Sequence, residues 1–405
     1  MDQNRGVFSL TVIVAALGYF VDIYDLLLFN IVRVPSLRAL GLDENAINKS
    51  GEFILSLQML GLLIGGIVWG IMGDKKGRLS VLFGSIILYS IANILNGFVV
   101  TVNQYAWIRF FAGIGLAGEL GAGITLVSEL LSKEKRGIGT SLVAGIGLTG
   151  AVVAYFISRE FDWRICYFIG GGLGILLLFL RVTVFESGMY KSMLQQNISK
   201  GNFLMFFTKR SRFKKYILSI LIGLPTWYVI GILVAFSNKF GREFGIKEEI
   251  LPGKAIMFAY VAISIGDVLA GLLSQYLKSR KKTLYIFYAF TALMIGAYFL
   301  QDANSNSSTL YLICAGLGFG TGFWAIFVTM GAEQFGTNLR ATAATTVPNM
   351  VRGALPLILL LFNWLQNFFS YTISGLVTGI IVMLIAVFAA FFAEETFGKD
   401  LNYIE

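Results

Sequence analysis

The chain has no histidine, two cysteines and five prolines in 405 residues, and only 14% of it is charged. Each shortage excludes something. Without imidazole there is no histidine-ligated metal site and no proton carrier of the usual neutral-pH kind, so any proton chemistry falls to carboxylates. Cys166 and Cys314 stand far apart, each inside an apolar stretch. That leaves neither a disulfide framework nor a CxxC metal site. No serine–histidine pair, metal motif or phosphate-binding loop can be read, so no catalytic residue, metal ligand or cofactor is assigned and an enzyme is not expected. A soluble domain carries about 25% charged residues, and this chain falls well short of that.

In place of charge there is hydrocarbon: 56% of the residues are hydrophobic. Apolar runs of roughly twenty residues, each long enough to cross a bilayer, recur along the chain. Twelve spans are expected, near 7–34, 51–72, 79–100, 104–130, 138–158 and 164–184, then 216–236, 255–277, 283–301, 308–332, 341–364 and 371–393. The first lacks a following small-residue cleavage site and reads as a retained helix rather than a signal peptide. The expected fold is therefore all-α and polytopic. It has a six-helix bundle over 1–185, a basic linker over 186–215, a second bundle over 216–393 and a tail over 394–405. The net charge of +9 comes from loops, KKGR (75–78), KEKR (133–136), KRSRFKK (209–215) and KSRKK (278–282). Their placement on alternate connections puts both termini in the cytoplasm. It calls for a lipid bilayer, a plasma membrane such as a bacterial inner membrane, and not for nucleic acid.

The two halves echo each other. GIMGDKKGR (70–78) returns as GLLSQYLKSRKK (271–282), and SELLSKEKRGIGTS (128–141) as AEQFGTNLRATAAT (332–345). Glu129 to Arg136 and Glu333 to Arg340 keep one spacing. A repeat of six spans marks a transporter of two bundles with its site at their interface.

The loop after span two meets the pattern GxxxD(R/K)xGR through Gly70, Asp74, Lys75, Gly77 and Arg78. With its echo, it makes the whole chain resemble a major facilitator superfamily transporter. The tail EETFGKDLNYIE (394–405) is similar to the PETKGxxLxxIE ending of the sugar-porter-like branch, and Glu186-Ser187-Gly188 partly matches its PESP motif. GYFVDIYDLLLF (18–29) resembles the first helix of phosphate:proton and organic-acid symporters, and RFFAGIGLAGELGAGITLVSE (109–129) the fourth helix of aromatic-acid and nicotinate-type carriers. Residues 145–150, GIGLTG, lack the proline of the antiporter signature. Glu119-Leu120-Gly121 replaces the Asp-Tyr-Pro of phosphate symporters, and Trp227 is followed by YVIG without an acid. Both departures tell against inorganic phosphate. Span five has no glutamine or asparagine and span seven has none before Asn238, which tells against a free hexose. The resemblance implies that Asp74 docks at the N-terminus of span eleven, where helix-end amides favour an anion. It also implies that Glu129–Arg136 and Glu333–Arg340 act as cytoplasmic gate pairs.

The remaining signal is buried charge. An acid in the bilayer core costs at least about 2.5 kcal/mol, and Asp22 and Asp25 lie three apart in span one, on one helix face. Two readings fit: a proton carrier, or polar contacts that pack span one. Arg109 either meets one of those acids or extends outward to the headgroups. Glu119, about 15 Å further along span four, has no such escape. It is protonated, or it binds a cation, a substrate group or Arg352. Arg352, between Pro348 and Pro356, either holds a substrate anion or bridges the bundles. Asp267 is a further substrate candidate, and Trp227 and Tyr228 either stack on a ring or pack. The expectation is a monomeric, proton-coupled symporter of a small organic anion. Facilitated diffusion or exchange of a sugar, phosphate or other polar metabolite, and a non-transporting nutrient sensor, stay open as alternatives.

Overall fold

The computed structural model describes residues 9–131, 133–181, 202–399 and 403. At 44, 45, 78, 128 and 133–137 only the backbone is described. Glu186-Ser187-Gly188, half of the basic linker and the side chains of Arg78 and Arg136 lie outside that description.

Twelve helices are long and apolar enough to cross a membrane. They are α1 (Leu10–Ala39), α2 (Ala46–Lys76), α3 (Leu79–Asn96), α4 (Val102–Val127), α5 (Ile138–Glu160), α6 (Trp163–Leu180), α7 (Arg210–Val234), α8 (Pro252–Leu277), α9 (Arg280–Phe299), α10 (Ser307–Glu333), α11 (Arg340–Leu365) and α12 (Tyr371–Phe392). The described residues hold no strand. Several helices outrun the apolar runs that announce them. The 30 residues of α1 make about 45 Å of helix against a hydrocarbon core of about 30 Å. Hydropathy marks where lipid ends, and backbone hydrogen bonding continues beyond it, here through Pro35 to Ala39. The helix that contains α2 likewise begins in polar sequence, because the Asp43 carboxylate accepts the Ala46 N–H at 2.7 Å. α7 starts at Arg210, inside KRSRFKK.

The polarity of this core is inverted relative to a water-soluble protein. Phe179, Leu293, Leu312 and Leu384 are exposed, whereas Asp22, Asp25, Arg109, Glu119 and Arg352 are buried. The outward face is made for lipid and the charges face the interior. The two six-helix halves meet along two seams, α2 against α11 and α5 against α8. α4 also reaches α11, and there Gly121 is required: a Cβ at that position would lie 2.4 Å from the Thr345 Cα.

α5 is interrupted at Thr149, and four further helices break where they face protein rather than lipid, as irregular backbone at membrane depth must. α4 is interrupted between Leu116 and Glu119, and α10 between Gly320 and Trp324. α11 is interrupted at Ala354, and α7 passes into a π turn over Val229–Val234. Each of these four breaks delivers a polar or aromatic side chain to the middle of the molecule.

The α2–α3 corner rests on Gly77, at φ 98° and ψ 156°, a region essentially closed to other residues. Gly77→Ala should therefore lower stability by about 1–3 kcal/mol. Thermal unfolding of the detergent-solubilised protein measures this, and an unchanged midpoint would show that the corner relaxes freely.

Candidate functional site

A cavity of about 20 Å³ lies where α1, α5, α7, α8, α10 and α11 converge. Tyr19, Trp227, Tyr260 and Trp324 supply aromatic walls, Thr226 a hydroxyl and Arg352 a cation. All six are at most 6% exposed, so the space is closed off. A volume of this size holds about one water molecule, so a ligand with a ring must part these walls to enter. Buried polar groups normally find partners. Here the Tyr19 hydroxyl, the Thr226 Oγ1, the Trp324 Nε1 and the Arg352 Nε have none among the described residues. Four unsatisfied polar atoms around one apolar space are what a bound polar ligand would satisfy.

Local sequence explains how these groups arrive. Arg352 precedes the break at Ala354 and follows Pro348 inside the helix. Its Nη1 donates to Asn349 Oδ1 at 3.3 Å, and its guanidinium lies 5.7 Å from the centre of the Trp324 ring. Asn349 in turn donates to the carbonyl of Ala117, at the α4 break, at 2.8 Å. Trp324 opens the second segment of α10, and that segment is capped from α8: Asp267 Oδ1 accepts the Ala325 N–H at 2.8 Å. Asp267 thus acts on the cavity through Trp324 and does not line it. Tyr228 also faces elsewhere, donating to the Gly375 carbonyl on α12 at 2.7 Å. Of the aromatic pair singled out in α7, Trp227 alone lines the cavity.

The acids of α1 separate into two environments. Asp25 accepts from Arg109 at 2.7 Å. Arg109 also donates to Asn93 at 2.7 Å and lies 4.9 Å from the centre of the Tyr167 ring. It does not extend to the headgroups, being fully buried, and it is committed within the first half rather than placed at the cavity. Asp22 is different. It is fully buried, and neither carboxylate oxygen has a hydrogen-bond partner among the described residues. Of the charges that act on it, Arg352 from the other half is the strongest.

Glu119 has a partner that sequence reasoning missed. Arg181, just past the end of α6, donates to it through two nitrogens at 2.8 and 2.5 Å, and Ser85 Oγ donates at 2.9 Å. Of the alternatives open for Glu119, the bound cation is a two-point arginine clamp within the first half, not Arg352. Arg181 was hidden because it sits at a span boundary, where a cation ordinarily reads as a loop residue. Asn349 carried no signal beyond its position in an apolar run.

At the end of the molecule that carries the basic loops, Asp74 lies at the N-terminus of α11. It accepts the Ala341 and Thr342 N–H groups at 3.2 and 2.8 Å and the Thr342 hydroxyl at 2.6 Å, while Gly70 offers its carbonyl to the same hydroxyl at 3.2 Å. The repeated acids also reach partners other than those the resemblance implied. Arg340 lies 3.7 Å from Glu129, across the two halves. Glu333 binds Arg280 at 3.1 Å and the tail residue Thr396 at 2.8 Å. The tail is anchored by Glu395. Burial works against its charge, but bonds from Ser279 and from the N–H groups of Phe397, Arg280 and Lys281 hold its carboxyl below the ordinary range.

Asp74→Asn removes the charge from those helix-end bonds, each worth about 1.5–3 kcal/mol when an ion takes part. It should open the basic end and shift the population tenfold or more. A cysteine at Thr140, which bonds Thr329 across the seam, should then label faster from that side. Unchanged labelling would mean that Arg340–Glu129 alone holds the closure.

Residues 15–358 match the Major Facilitator Superfamily. The chain is similar to a niacin transporter of Acinetobacter baylyi, 27% identical over 372 residues and covering 84% of this chain and 83% of the relative. It is also similar to a benzoate transport protein of the same organism, 24% identical over 401 residues and covering 88% and 83%. Among solved structures, a proton:xylose symporter bound to 6-bromo-6-deoxy-D-glucose superposes with a TM-score of 0.73 over 98% of this chain and 97% of that one, at 18% identity. That last likeness is one of fold. The chain belongs to the major facilitator superfamily and is an integral, multi-pass plasma-membrane transporter, not an enzyme.

Proposed function

We propose that this chain is a proton-coupled symporter of a small, planar organic anion, a ring bearing one carboxylate. The observation that carries the reading is the pairing, around one closed cavity, of the partly unpartnered Arg352 guanidinium with four aromatic side chains. A guanidinium matches a carboxylate with a planar fork. Aromatic walls suit a ring face, and offset or edge-on ring contacts add about 0.5–1.5 kcal/mol beyond burial. The named cargoes of the relatives, niacin and benzoate, have this shape.

Coupling follows from charge balance across the cavity. In the empty carrier Asp22 and Arg352 offset each other. A substrate carboxylate on Arg352 would leave Asp22 as an uncompensated buried anion, which costs several kcal/mol. A proton on Asp22 restores neutrality, so substrate and proton load together. Asp25 and Glu119, clamped by Arg109 and Arg181, then hold the first bundle together and do not exchange protons. Proteoliposomes test this: an inward proton gradient should drive accumulation of benzoate or nicotinate, and D-xylose or inorganic phosphate should not compete. Uptake that equilibrates but never accumulates would identify a facilitator. Binding without counterflow would identify a sensor.

A further inference from the structure

Arg352 is not the only buried guanidinium at the seam between the halves. Arg33, near the other end of α1, is fully buried. It donates once, from Nη2 to the Ala235 carbonyl at 3.2 Å, and its guanidinium lies 4.5 Å from the centre of the Phe236 ring. Those two residues directly follow the π turn of α7, so the contact joins the halves at the end opposite the basic loops. The Nε and Nη1 of Arg33 have no partner among the described residues. One turn earlier, the Oδ1 of Asn30 is also buried without one. Tyr371 and Glu52 act on Arg33 through space, and Glu52 is engaged by Asn363 at 3.5 Å.

A bond to one backbone carbonyl does not require a cation. Gln58 makes such a bond with a neutral amide, donating to the Leu26 carbonyl at 3.1 Å. Burying a guanidinium for the same purpose costs several kcal/mol more, unless the charge has another use. α2 has been shaped to admit the arginine: a Cβ at Gly51 would lie 2.5 Å from the Arg33 Cδ. Position also matters. Arg33 follows Asp22 by eleven residues, which is within about 20° of three full turns and about 16 Å along the helix. Arg33 therefore projects from the same face as Tyr19 and Leu26, which line the cavity.

We propose that Arg33 is a second anion site on the route into the cavity. It takes the substrate carboxylate through Nε and Nη1, passes it inward to Arg352, and then holds the route shut by its bond to Ala235. The proposal rests on the reading of the substrate as a carboxylate. Asn30 would contribute its side-chain amide to the same ligand, since amide orientation follows the network around it.

A transient site of this kind changes rates in both directions more than it changes affinity. With benzoate as the probe and intrinsic tryptophan fluorescence as the signal, stopped-flow association to the full-length protein should be about tenfold slower in Arg33→Gln than in the wild type. Dissociation should slow in parallel, so that Kd moves by less than about threefold. Arg33→Lys should recover part of the rate, which a loss of packing would not. Wild-type binding with an unchanged association rate in Arg33→Gln would overturn the second site and leave the central one standing. A Kd weakened in proportion to the rate would also overturn it, since Arg33 would then belong to the central site. Failure of the wild type to bind either benzoate or nicotinate would overturn the carboxylate reading, and this proposal with it.

Discussion

Arg352→Lys should weaken carboxylate binding by about 2–5 kcal/mol while leaving the fold intact. That is the range for truncating one partner of a buried, hydrogen-bonded charge pair, and it corresponds to a loss of roughly thirtyfold or more. The lysine keeps the charge that offsets Asp22, so helix packing and insertion are retained. What it loses is the fork: Arg352 spends Nη1 on Asn349 and keeps Nε unpartnered, a pair of directions that one ammonium cannot reproduce. Arg352→Ala should be worse, because it leaves Asp22 as a buried charge without its main counter-charge. Isothermal titration with benzoate, beside thermal unfolding of each variant, separates the two effects. Full affinity in Arg352→Lys would show that the cation acts only as a point charge. Full affinity in Arg352→Ala would remove it from the binding site altogether.

What could be read from the sequence divides along a physical line. The twelve spans were legible because a membrane helix must satisfy its own backbone and cover itself with hydrocarbon, and both demands are local. The Asp74 loop was legible for a similar reason: a corner that needs Gly77 at φ 98° leaves a mark in the chain itself. The partners of buried charges were not legible. Glu119 pairs with Arg181, 62 residues away, and Arg340 pairs with Glu129 in the other half. Nothing in a one-dimensional spacing announces either pair. Nor could the sequence rank the two acids of α1, since helix geometry gives Asp22 and Asp25 one face. The ranking comes from their neighbours: an arginine, itself bonded to an asparagine, bonds Asp25, whereas Asp22 has no hydrogen-bond partner among the described residues and feels the charge of Arg352. The same holds for Trp227 and Tyr228, adjacent in sequence yet pointing one to the cavity and one to α12.

That difference in neighbours makes the two aspartates behave oppositely when each is replaced by asparagine. Asp22→Asn should abolish accumulation driven by a proton gradient and leave counterflow at near wild-type rate. The loaded carrier has Arg352 offset by substrate and a neutral side chain at position 22, so it still crosses between states without a buried net charge. The empty carrier does not: Arg352 then stands unneutralised in the seam, and the return step is slowed by the cost of a lone buried cation. Exchange uses only the loaded step, whereas net transport needs both. Asp25→Asn should instead leave Arg109 as a buried cation without its acid, at a cost of about 3–5 kcal/mol in stability, with lower yield and a lower unfolding midpoint. Measuring uptake, counterflow and thermal unfolding on both variants gives a pattern that either fits or does not. Gradient-driven accumulation surviving in Asp22→Asn, and lost in a stably folded Asp25→Asn, would move the proton to the Asp25–Arg109 pair. The charge balance between Asp22 and Arg352 would then have no part in coupling.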